Sequence, residues 1–121
     1  MRSAFVVEGR FPGLNDYIDA ERANRFAASK MKRRETSRVR AAALDQRMPH
    51  FDRPVKVRFT WVEDSRRRDL DNVAFAKKFV LDGLVEAGVI DGDGQRFVKG
   101  FRDDFECDPK CPRVVVEVLT A

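Results

Sequence analysis

At 121 residues the chain is long enough for one packed domain and too short for two, so residues 1–121 are read as a single unit. Hydrophobic residues make up 43% of it, with ten Phe against one Trp and one Tyr, which excludes global disorder and predicts a phenylalanine-rich core. Net charge is +4 and the sequence pI about 9.4, a balance that permits binding to a polyanion without requiring it.

No apolar run approaches the roughly 20 residues of a membrane span, and Met1 to Glu8 breaks too early for a signal peptide. A soluble cytoplasmic protein is therefore expected, with no membrane partner.

In chain order, residues 3–9 alternate around Phe5, Val6 and Val7 and read as a first strand. A loop of punctuating residues follows, Gly9 to Asn15. Asn15-Asp16 would cap one long helix over 17–46, a segment without Pro or Gly and rich in Ala, Arg, Lys and Glu. Its expected core stripe is Phe26, Ala27, Met31, Val39 and Ala42. The rest is cationic: Lys30, Lys32, Arg33, Arg34, Arg38 and Arg40 fall within eleven residues. Such a face serves either as a solvated surface or as a rail along a phosphate backbone. Both readings stand at this point.

Residues 55–62 alternate cleanly, with Val55, Val57, Phe59 and Trp61 on one side and Lys56, Arg58 and Thr60 on the other, as a half-buried strand requires. A second helix is expected over 71–87, ended by Gly88. On a wheel of 100° per residue, Asp71, Lys78 and Asp82 share one stripe, and Leu81 and Val85 fall outside the apolar face as a candidate subunit contact. Strands over 97–105 and 114–119 complete an order β-α-β-α-β-β. The fold class is α/β (α+β): a small four-stranded mixed sheet with two main helices.

The chemistry concentrates in Arg66-Arg67-Arg68-Asp69-Leu70-Asp71-Asn72 and the loop Asp91-Gly92-Asp93-Gly94. Clustered carboxylates beside arginines would repel a polyanion unless a divalent cation lay between. If 69–71 is extended, Asp69 and Asp71 point the same way and can reach one hard cation. Mg²⁺ prefers such oxygen ligands and keeps several waters, and a third carboxylate would come from the 91–94 loop. Lys78 would stabilise charge on a phosphate or leaving oxygen. The plain alternatives are that Asp71-Asn72 caps a helix and that the acidic loop is a turn. An EF-hand opening at Asp91 fails, because its twelfth position is Arg102. No nucleotide-binding motif is present. Cys107 and Cys111 are too few for a disulfide scaffold and read as ordinary thiols near a turn rather than metal ligands or a redox pair.

The run Arg68-Asp69-Leu70-Asp71-Asn72, with Lys78, Asp82-Gly83-Leu84 and Ala87-Gly88-Val89-Ile90 ahead of Asp93, resembles the RusA-type Holliday junction resolvases. Leu14-Asn15, Tyr17 and Lys30-Met31-Lys32 resemble the phage and prophage branch of that family. The likeness spans roughly residues 4–119, and the 68–93 block is its specific part.

It implies a small homodimeric endonuclease that binds four-way DNA junctions and makes paired, symmetric nicks with Mg²⁺, Mn²⁺ being a substitute. By motif, Asp69, Asp71 and Asp93 resemble the metal-binding catalytic aspartates, Lys78 the catalytic lysine and Asp82 its orienting neighbour. Asn15, Lys30, Lys32, Arg33, Arg66, Arg67 and Arg68 are the expected DNA contacts. One departure stands out: the family has Asp-Asp in the last loop, and here Gly92 takes the first place. Counting from Ala87-Gly88, Asp93 fills the catalytic position in preference to Asp91. Two other readings remain open, a non-catalytic basic DNA-binding module and a related nuclease for forks, flaps or RNA.

Overall fold

A computed structural model describes all residues, 1–121. Its elements are β1 (Arg2–Glu8), α1 (Leu14–Ala23), α2 (Ala27–Asp45), β2 (Val55–Glu63), α3 (Leu70–Ala74), α4 (Lys77–Glu86), β3 (Val98–Cys107) and β4 (Arg113–Thr120). The sheet is mixed, in the order β1-β4-β2-β3. β4 lies antiparallel to both β1 and β2, whereas β3 runs parallel to β2 at the edge. A parallel pair needs a crossover, and α3 and α4 supply it. The expected four-stranded α+β sheet is present.

The alternation in β2 works as the sequence implies: Val55, Val57, Phe59 and Trp61 are buried, and so are Val114, Val116 and Val118 of β4 opposite them. Phe5 and Val7 extend the layer through β1, and Val39, Phe79, Val80 and Leu84 of the helices close over it. Edges are managed locally. Gln46 at the end of α2 donates to the Val6 carbonyl (2.7 Å) and accepts from its N–H (2.9 Å), covering the free side of β1.

Each expected helix is in fact two. The 17–46 segment breaks at Asn24, whose backbone is extended (φ −169°, ψ 165°). Its Oδ1 accepts the N–H groups of Phe26 and Ala27, both at 2.9 Å, and so starts α2 afresh. A short polar side chain that bonds its own backbone outcompetes the helix ladder there. Phe26, expected in the core stripe, is consequently 65% exposed. The face of α2 that does enter the core carries Ala28, Glu35, Thr36, Val39 and Ala43.

The 71–87 segment breaks at Phe75–Ala76. Tight three-residue bonds run from Ala76 N–H to Val73 O, Lys78 N–H to Phe75 O and Phe79 N–H to Ala76 O. Such a turn advances faster than 100° per residue, so the wheel loses its reference across it. Asp71 therefore belongs to a different helix from Lys78 and Asp82. Leu81, expected outside the apolar face, is buried with Phe79, Val80 and Leu84 of the same helix, whose packed face is wider than expected. It is unavailable as a subunit contact. Gly88, at φ 76°, leads the chain out of α4 as anticipated.

Candidate active site

Asp69 stands at the N-cap position of α3, with extended dihedrals (φ −66°, ψ 151°) but no side-chain capping bond. Asp71 lies in the first helical turn, so the strand alternation invoked for the pair applies to Asp69 alone. Both residues are exposed. Neither carboxylate does the capping work that would explain it structurally. Positive potential at a helix N-terminus favours both anions at this place.

The acidic loop gives its two aspartates different partners. Asp91 Oδ1 lies 2.9 Å from His50 Nε2, whereas Asp93 Oδ2 accepts from Lys78 Nζ at 3.0 Å. A Cβ on Gly92 would come within 2.7 Å of the Phe97 ring, so a second aspartate there is sterically excluded unless Phe97 moves. Packing thus accounts for the glycine.

Lys78 also pairs with Asp82 Oδ1 at 3.0 Å, one turn along α4. Hydrogen bonding to Asp82, then to Asp93, holds the Lys78 ammonium above its ordinary pKa. The reciprocal bond from Lys78 holds the Asp93 carboxyl below its own. Lys32 of α2 approaches the far oxygen of Asp82, Oδ2, at 3.6 Å. Lys77, the preceding residue, is spent on Asp103 (2.7 Å), which also accepts from Trp61 Nε1 (2.8 Å). Of the two adjacent lysines, only Lys78 faces the acidic loop.

A cleft of about 480 Å³ opens between α2 and α4 beside these groups, with Lys32, Arg33, Asp82 and Asp93 among its walls. Its cationic side suits a phosphate, and Lys78, fixed as an ammonium, suits charge stabilisation rather than proton removal. By donor type Asp69, Asp71 and Asp93 fit a hard divalent cation. They do not form a ready cage. No three His, Cys, Asp or Glu side chains converge closely enough to hold an ion, and Asp93 is engaged by Lys78.

The expected DNA contacts divide into two kinds. Lys30, Lys32, Arg33, Arg66 and Arg67 are exposed. Arg68 is not free in the same way. Its side chain, 12% exposed, donates to both oxygens of Glu63 (2.8 and 2.9 Å) and to the Phe11 carbonyl (3.1 Å). Asn72 Oδ1 accepts the backbone N–H of Asn15 at 2.9 Å. A Cβ on Gly13 would lie 2.5 Å from Asn72 Oδ1 and 2.9 Å from Arg68 Nη1. Arg68 and Asn72 therefore clamp the start of α1 onto the start of α3, a role sequence spacing did not disclose.

Arg38 likewise binds the chain itself. It pairs with buried Glu35, donates to the carbonyls of Glu8 (3.0 Å) and Arg10 (3.3 Å) and stacks over Phe11. The basic rail of α2 is narrower than its composition suggests. Cys107 and Cys111 are free thiols. No helix is long and apolar enough to cross a membrane. In comparisons with known proteins, the chain matches no family model and no curated protein.

Proposed function

We propose that the protein is a Mg²⁺-dependent, structure-selective DNA endonuclease that resolves four-way junctions by paired nicks, acting as a homodimer. The observation that supports it best is Lys78. It is an ammonium held between Asp82 and Asp93 beside a cleft walled by the cationic face of α2. The free carboxylates of Asp69 and Asp71 open the same α3–α4 unit. Likeness of the 68–93 block to the RusA-type resolvases adds the junction as substrate and the dimer as assembly.

In this reading Asp69, Asp71 and Asp93 would hold the metal, which supplies polarisation of the scissile phosphate and an activated water. Lys32 and Arg33 orient the phosphate backbone across the cleft. Lys78 offsets negative charge as the phosphate is attacked, and Asp82 keeps its ammonium in place and protonated. Two copies of the site would serve the two opposed strands of a junction.

A cleavage panel tests this: four-way junction, fork, flap and linear duplex, each with Mg²⁺, with Mn²⁺ and with chelator. Preferential, metal-dependent nicking of the junction is the expected result. The engagement of Asp93 by Lys78, with no three ligating side chains gathered, favours a second reading. In it the protein is a basic nucleic-acid-binding module, and the panel would show binding without nicking under every condition.

A further inference from the structure

We infer that Phe26 is a stacking platform for an unpaired nucleobase, with Lys30 and Arg33 carrying the phosphates that follow; this rests on the nucleic-acid reading above. Phe26 is 65% exposed, although a buried Phe contributes about 1.5–3 kcal/mol to a fold. It is not a loose end. Asn24 Oδ1 accepts the N–H groups of both Phe26 and Ala27, so an ordered turn between two helices presents the ring to solvent. The Arg25 guanidinium carbon lies 4.7 Å from the ring centroid and backs it with positive charge.

Direction along α2 gives the platform a context. Lys30 and Arg33 stand four and seven positions after Phe26, on the same helical face, and both are exposed. Seven residues rise roughly 10 Å, which brings this face from Phe26 to the cleft that Arg33 shares with Asp82 and Asp93. The ring thus heads a cationic track that ends at the candidate active site.

Charge selects the occupant. Arg25 lies over the ring, and exposed Lys30 and Arg33 follow it on the same face of α2. A second copy of the chain docking here through the same patch would bring like charges together, whereas a phosphate backbone complements them. Aromatic rings between cations bind bases by their π-faces, sequence-tolerantly. In a continuous duplex those faces are covered by neighbouring bases, and at a branch point or in a single strand they are open. The platform would therefore favour branched over linear DNA before any chemistry occurs.

Binding without metal isolates the claim from cleavage. A short single strand carrying 2-aminopurine, and the duplex of the same sequence, are titrated with wild-type protein, Phe26→Ala and Phe26→Trp in chelator. Wild type and Phe26→Trp should quench the fluorophore. Phe26→Ala should lose the quench and bind the single strand about tenfold more weakly or worse, with duplex affinity and thermal melting unchanged. An unchanged single-strand affinity for Phe26→Ala overturns the inference, as does an equal loss on the duplex. So does a change of oligomeric state in Phe26→Ala by sedimentation, which would make the ring a contact between copies. Nicking by the wild type without any Phe26 dependence of binding removes this inference alone. A Phe26-dependent quench with no nicking at any metal concentration removes the nuclease reading alone.

Discussion

Lys78 Nζ lies 3.0 Å from Asp93 Oδ2, joining α4 to a loop fifteen residues away. The side chains are 51% and 34% exposed, so the pair is screened and weak as a stabilising contact. Lys78→Ala should therefore slow junction cleavage by a factor of about 100 or more while costing less than about 1 kcal/mol of stability. Single-turnover cleavage and urea denaturation of the same variant measure the two effects. A wild-type rate would remove Lys78 from the mechanism.

Protonation of this pair has a defined direction at each end of the pH scale. Asp93 is depressed, so its contribution is present above the ordinary carboxylate value and fades only as pH falls through the lowered one. Lys78 is raised, so its contribution is present below the ordinary lysine value and fades as pH rises through the higher one. Between about pH 6 and 9 neither group should titrate. Asp82→Asn removes the largest cause of the Lys78 elevation. Its ammonium should then titrate at lower pH by carbon-13 NMR of the lysine side chain, and an unmoved titration would refute the pairing.

Asp71→Asn keeps the size of the side chain and removes its charge at the opening of α3. Nicking of a synthetic four-way junction should be abolished, with junction binding retained or slightly tightened by the lost repulsion. The helix should lose no more than about 1 kcal/mol from the weaker interaction with its dipole. Full activity in this variant would exclude Asp71 as a metal ligand.

Arg68→Ala leaves the Glu63 carboxylate, in a side chain 13% exposed, without its bidentate partner. Unpaired, half-desolvated charge of this kind costs about 2–4 kcal/mol. Arg68→Lys should restore little of it, because one ammonium cannot span both oxygens and the Phe11 carbonyl. Denaturant midpoints of the two variants decide this. A stable Arg68→Ala variant with weakened DNA binding would instead return Arg68 to the DNA contacts.

Binding itself should weaken steeply with salt, since exposed Lys30, Lys32, Arg33, Arg66 and Arg67 would act on phosphates. Affinity for a junction between about 50 and 200 mM salt should fall by about tenfold or more. A flat salt response would argue against a phosphate-tracking surface.

Period-two alternation in 55–62 and 114–119 predicted buried residues correctly because one sheet face meets the helices and the other does not. Gly88 was legible for a similar local reason. The helix breaks were less so. Asn24 could have been noticed as a cap within an otherwise strong helical pattern, since its side chain competes with the backbone ladder. Nothing comparable marks the tight turn at Phe75–Ala76, and Leu81 is buried because the packed face of α4 is wider than its apolar stripe suggested.

The amino-acid order by itself determined the four strands, the acidic and basic composition of the 66–93 block and the adjacency of Lys78 to Asp82 one helical turn apart. These depend on neighbours within a few residues. Tertiary structure decided which charges remain available. It closed Arg68 on Glu63 and Arg38 on Glu35, turned Asp91 to His50 and Asp93 to Lys78, and left Phe26 in solvent. Asp91 with His50 and Asp93 with Lys78 join segments forty-one and fifteen residues apart that meet only after the sheet and helices pack, so no spacing rule along the chain could have assigned them.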